Sequence, residues 1–208
     1  MKKLVIRFNS PVVLCFALLS LLALLLGDVT GGAATTRVFC VYRSSLADPL
    51  TYLRLFTHVL GHAGYSHYMG NMLLLLLVGP PLEEKYGSRR LLVCIAITAL
   101  VSGLVQVLLF PGAALLGASG IVFMCILLSS LSGMRGGAIP LTLILVAVFY
   151  LGGEWLDALI LVVILYLGGE VVDAVAAQDS VSQLTHIVGG LCGAALGFAM
   201  SRFQPFSR

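Results

Sequence analysis

Long stretches without a charged side chain set the first limit on what this chain can fold into. Leu91 to Phe110 is one such run, and Pro11 to Leu26 is another. About 20 apolar residues in a helix match the thickness of a bilayer's hydrocarbon core. Further apolar runs are His67 to Leu82, Ser119 to Leu131, Ile139 to about Val172, and Gln183 to Met200. Composition agrees. Of 208 residues, 60% are hydrophobic and 10% charged, with a mean hydropathy of +1.07. A soluble domain carries about 25% charged residues to build its surface. An all-α, polytopic membrane protein is expected, with the lipid bilayer as its surroundings. The basic residues fall in short clusters between apolar runs and form no stripe, so nucleic acid is not an expected partner.

Cys15, Cys40, Cys94, Cys125 and Cys192 contain no CxxC pair, and all but Cys40 lie in apolar runs. They read as small membrane hydrophobes, with neither a disulfide framework nor a metal site. No cofactor is expected.

Lys2, Lys3 and Arg7 precede the first run, and small residues follow from Gly31 to Thr36. A cleaved signal peptide has the same layout. This run is long for the core of a signal, so a first spanning helix is the expectation. Residues 28–58 read as an ordered loop on the membrane face. The polar segment Glu83 to Arg90 breaks the second apolar run. Tyr150-Leu-Gly-Gly-Glu154 with Asp157 recurs as Tyr166-Leu-Gly-Gly-Glu170 with Asp173. This local tandem repeat, over 150–173, lies near the fifth apolar region and makes it too long for one helix. With six spans and a cytoplasmic N-terminus, Lys2, Lys3, Arg7, Lys85, Arg89, Arg90, Arg135, Arg202 and Arg208 all fall inside. That satisfies the positive-inside rule, whereas a seventh span would put Arg202 and Arg208 on the wrong side. Six spans in a single domain over 1–208 follow, with both termini cytoplasmic.

Polar groups inside a membrane are costly and need a reason. Ser119 opens an apolar run within Gly117-Ala118-Ser119-Gly120. Free backbone N–H groups at a helix start can hold an oxyanion. A plain N-cap serine would look the same. His186 stands just inside the last run, three residues before Gly189, with Gly193 and Gly197 at four-residue intervals. Those glycines make a groove on the helix face that carries the histidine. Packing alone would also explain them. Together, a serine and a base able to take its proton form a chemically sensible pair. No acidic residue lies within a turn of His186, which favours a dyad over a triad. His67 and Asn71, four residues apart, share a helix face and can both donate hydrogen bonds to an oxyanion. His58, His62 and His67 raise the idea of zinc, but no cysteine or carboxylate ligand lies near them in sequence.

In this order, these residues resemble the rhomboid family of intramembrane serine proteases. The resemblance runs from about Arg54 to the last span. It rests on Arg54 to His58, His62, His67 to Asn71, Glu83 with Gly87-Ser88, Gly117 to Gly120, and His186 to Gly189 with Gly193. It implies a six-helix bundle with a cavity open to water, and transmembrane proteins as substrates. Ser119 would be the nucleophile and His186 the base. His67, Asn71 and the Ser119 backbone N–H would form the oxyanion hole. Gly117, Ala118, Gly120 and Phe123 would line the cavity. Arg54, Glu83, Ser88, Gly189 and Gly193 would be structural. Leu53 stands where the family often has Trp, and Phe123 where bacterial members often have Tyr. A catalytically inactive relative that binds membrane proteins is the alternative. A transporter would be expected to show inverted repeats or acidic groups along a pathway, and only Glu154 and Glu170 offer these. A short chain without large soluble domains suggests a bacterial inner membrane.

Overall fold

A computed structural model describes residues 9–132, 188–197 and 199. The described residues are helical, with no strand among them beyond one isolated bridge. Helix α1 spans Pro11–Val29, α2 Ala33–Val38, α3 Pro49–Thr57, α4 Tyr65–Tyr86, α5 Ser88–Leu109 and α6 Ser119–Ser132. A 3₁₀ turn, His58–Leu60, follows α3, and a further helical segment covers Val188–Gly197. His186, the fifth apolar region and the 150–173 repeat lie outside the described residues.

Helices α1 and α5 are long and apolar enough to cross a membrane. At 22 residues, α5 is about 33 Å long, close to a bilayer's hydrocarbon thickness. Helix α1 is apolar on every side. Leu18, Leu19, Leu22, Leu25 and Leu26 face outward, while Val13, Phe16, Ala17, Ser20 and Ala23 are buried. In water those leucines would be a liability, whereas in lipid they need no cover. Helix α6 is the most enclosed. Its Ile121, Val122, Met124 and Cys125 are fully buried against its neighbours, α4 and α5 among them.

The first loop is built from local signals. Asp48 caps α3 by accepting from the Leu50 amide at 3.0 Å, and Pro49 follows at the first helical position. Two boundaries differ from the sequence expectation. Helix α1 runs through Asp28 to Val29, into the segment read as loop. Helix α4 does not stop at Leu82 but continues through the charged residues to Tyr86, and Ser88 already begins α5. The break is Gly87 alone, with φ +84°, a conformation that glycine adopts without steric cost. Charge does not end a helix. Pro80 and Pro81 sit inside α4 and remove two backbone donors, which neighbouring helices make tolerable in a membrane.

Candidate active site

Arg54 organises the first loop from inside. It is 2% exposed, with its guanidinium 4.5 Å above the Tyr42 ring. It donates to Tyr42 Oη at 2.8 Å, Ser44 Oγ at 2.9 Å, Asp48 at 2.9 Å and the Arg37 carbonyl at 3.3 Å. A buried cation needs this many acceptors to offset its desolvation. Leu53 beside it is exposed, so the loop is held through Arg54 and not through the residue before it.

The fixed loop then holds the segment leading to Ser119. Val41 and Leu115 exchange two backbone hydrogen bonds at 2.9 Å. The Gly117 amide donates to the His58 carbonyl at 3.0 Å. Gln106 reaches across from α5, donating to the Ala113 carbonyl at 3.0 Å and the Phe110 carbonyl at 3.5 Å. His58 is 1% exposed. Its Nδ1 donates to the Arg54 carbonyl at 3.0 Å, and its Nε2 lies 3.2 Å from Ser102 Oγ on α5. Burial lowers the His58 pKa to about 4, against the opposing pull of the Arg54 carbonyl. The ring is neutral near pH 7 and serves as a strut.

At the start of α4, His67 turns toward Gly117. A Cβ on Gly117 would meet His67 Cε1 at 2.9 Å and Nε2 at 3.0 Å. Gly117 also has φ +130°, so both its backbone and its neighbour demand glycine. The Ala63 amide donates to His67 Nδ1 at 3.4 Å, which leaves the proton of a neutral ring on Nε2, the nitrogen facing Gly117. A donor is thereby aimed at the loop two residues before Ser119. Asn71, one turn on, is 7% exposed and gives one amide hydrogen to the His67 carbonyl at 3.0 Å, keeping a second donor. His62 packs edge-on against both His67, at 5.0 Å between centroids, and Tyr68, at 5.5 Å. Its Nδ1 donates to the Leu60 carbonyl at 3.1 Å. Burial, then the neighbouring His67, lowers its pKa to about 4. His58 thus has partners of its own while His62 and His67 pack on each other, and among the described residues no three metal-ligating side chains converge.

Half-buried Ser119 is the first residue of α6. Val122 makes the first helical bond, to the Ala118 carbonyl at 2.9 Å. The amides of Ser119, Gly120 and Ile121 therefore have no partner within the helix. Gly117, Ala118, Gly120 and Phe123 are all buried. Gly189 lies on the Gly120 backbone so closely that an added Cβ would stand 2.9 Å from Gly120 Cα. Gly193 lies likewise on Met124, and the Phe123 ring packs on Gly190. The Val188–Gly197 segment thus meets α6 at its first turn.

Glu83 and Ser88 sit apart from this cluster, at the other end of α4. Glu83 is 2% exposed and accepts from Ser88 Oγ at 2.6 Å and from the Val12 and Val13 amides at 2.9 Å. Pro11 has no N–H and Leu14 bonds Ser10, so this carboxylate completes the first turn of α1.

Gln106 and Ser102 were not singled out by the sequence reading. Their signal was present, as polar side chains inside the apolar run Leu91 to Phe110.

A helical membrane protein with a serine at a helix N-terminus, and an imidazole packed on the loop before it, is the class these features define. A family model described as Rhomboid domain matches residues 49–203. The chain belongs to the rhomboid family. It is 30% identical over 150 residues to Rhomboid protease GlpG of Enterobacter sp. (strain 638), covering 70% of this chain and 48% of that one. It is 33% identical over 108 residues to Rhomboid protease GlpG of Salmonella paratyphi A (strain ATCC 9150 / SARB42), covering 50% and 39%. It is 32% identical over 114 residues to Rhomboid protease GluP of Bacillus subtilis (strain 168), covering 53% and 22%. The chain thus spans less than half the length of these curated relatives.

Proposed function

We propose that this chain is an intramembrane serine endopeptidase that cleaves transmembrane proteins through a Ser119–His186 dyad. The observation that carries this reading is the packing of His67 on Gly117, with its Nε2 donor toward the start of α6. The contact of Gly189 with Gly120 supports the base assignment. It brings the helix face three residues after His186 onto the residue after Ser119. In the proposed reaction Ser119 Oγ attacks the scissile carbonyl and His186 takes its proton. The oxyanion is held by His67, Asn71 and the Ser119 N–H. His186 then returns the proton to the leaving amine, and water hydrolyses the acyl-enzyme. The full chain over 1–208 would form one six-span domain, with both termini in the cytoplasm and the basic residues inside. A bacterial inner membrane would be its setting.

Fluorophosphonate labelling and cleavage of a model transmembrane substrate test this together. Ser119→Ala removes only the nucleophile at a small-residue site. It should abolish labelling and lower turnover by about 10⁶, with the thermal midpoint unchanged. Cleavage at the wild-type rate would remove Ser119 from the mechanism. A folded wild-type protein that neither labels nor cleaves would favour an inactive relative that binds membrane proteins.

A further inference from the structure

The end of α4 and α5 far from Ser119 holds an open cavity of about 550 Å³. Arg89, Arg90, Val93, Cys94 and Leu196 are among its lining residues. We propose that this cavity binds an anionic phospholipid, its phosphate between Arg89 and Arg90 and an acyl chain along Val93 and Leu196. The proposal does not depend on the proteolytic reading.

Charge complementarity is the first support. Both arginines are exposed, and neither has an ion-pair partner among the described residues. The nearest carboxylates in sequence are engaged elsewhere. Glu83 is turned inward to the α1 amides and Ser88, and Glu84 bonds Asn9. The first turn of α5 carries these two cations and no acidic residue. Positive side chains at a helix N-terminus oppose the helix dipole, and a bound anion would relieve both.

The second support is the order of the walls. Val93 lies one turn beyond Arg89 and Arg90, farther into the apolar span, and is half exposed. Leu196, on the Val188–Gly197 segment, adds a second apolar side chain to the lining. The cavity therefore passes from cationic to apolar in the direction in which a lipid passes from headgroup to chain. A free phosphate ion would use only the rim. Basic pockets between membrane helices suit anionic headgroups for these reasons.

Native mass spectrometry of the full chain in detergent tests the assignment. Phosphatidylglycerol is titrated against phosphatidylcholine of the same acyl chains. The wild type should retain one phosphatidylglycerol in preference. R89Q/R90Q should bind it about thirtyfold more weakly, about fivefold per arginine, with phosphatidylcholine binding unchanged. R37Q/R43Q, an equal change of charge on exposed first-loop residues, should leave the preference intact. Val93→Gln should weaken binding with the charge preserved. Undiminished binding by R89Q/R90Q, or an equal loss in R37Q/R43Q, would overturn the site. So would unchanged binding by Val93→Gln, or displacement of the lipid by inorganic phosphate at equal concentration.

Discussion

The two ends of α4 are held by opposite means. At the Glu83 end, one buried carboxylate gathers two backbone amides and a hydroxyl. About 24 Å away along the helix, the His67 end meets the segment before Ser119, which many weaker ties hold. These are a two-bond bridge from Val41 to Leu115, the Gly117–His58 bond and the Gln106 amide, with the edge-on imidazoles of His62 and His67 alongside. One end concentrates its stability in a single charge, and the other spreads it over neutral groups around Ser119. Proposed chemistry at Ser119 needs backbone positions held closely from several directions, whereas joining α1 to α4 needs only a strong clasp.

The largest expected effect breaks the clasp. Glu83→Ala leaves the Val12 and Val13 amides and Ser88 without their acceptor. Hydrogen bonds to a buried charge are worth about 1.5–3 kcal/mol each, so a loss of about 3–5 kcal/mol is expected after partial rehydration. Turnover per folded molecule should stay near wild type. Thermal midpoint and active-site titration, measured together, separate the two. Equal losses in both would mean that the ends are coupled.

Acid should act on the opposite end. His58 and His62 are held neutral, with pKa values lowered from 6.5 to about 4. A depressed folded-state pKa means the unfolded chain binds more protons between these values. The stability is present above about pH 6.5 and is lost as pH falls toward 4. Each histidine contributes at most about 3 kcal/mol. The melting midpoint should therefore fall between about pH 7 and pH 5, and the fall should shrink in His62→Gln. A midpoint in that variant with the wild-type pH dependence would remove His62 from this account.

A smaller effect, on activity more than stability, is expected at the helix contact. In Gly189→Leu the new Cβ meets Gly120 backbone, which has no side-chain rotamer to yield. The helices must separate, and a displacement of about 1 Å costs roughly a hundredfold in rate. Lipid does not resist that separation. Wild-type cleavage would show that this contact does not set the proposed dyad's distance.

Sequence made the chemical groups legible because polar residues in a membrane are rare enough to be noticed singly. Ser119, His67 and Asn71 were singled out that way, and the glycines by their spacing. What stayed hidden is non-local. Glu83 and Ser88 were expected to be structural, but nothing in the sequence ties Glu83 to amides 70 and 71 residues earlier. The bridge from Val41 to Leu115 pairs backbone only and leaves no side-chain signature. The end of α4 was misjudged because charge was taken as the stop, where Gly87's backbone is.

The smallest expected effect tests whether the ties at the Ser119 end are truly many. Gln106 is 2% exposed, and Met would fill nearly the same volume without the amide. Gln106→Met leaves the Ala113 and Phe110 carbonyls without this donor. Both residues are only half-buried, so water can replace part of what is lost. A cost of about 1 kcal/mol is expected. The bridge at Leu115 and the bond at Gly117 remain, so the segment before Ser119 should loosen without detaching. Hydrogen exchange at the Leu115 amide should quicken, and turnover should fall by about tenfold or less, since small misplacements near a reacting group are felt in rate. Unchanged exchange would mean that the backbone bridge alone holds this segment. Its fixation would then rest on a single strong tie, as at Glu83, and the contrast between the two ends would vanish.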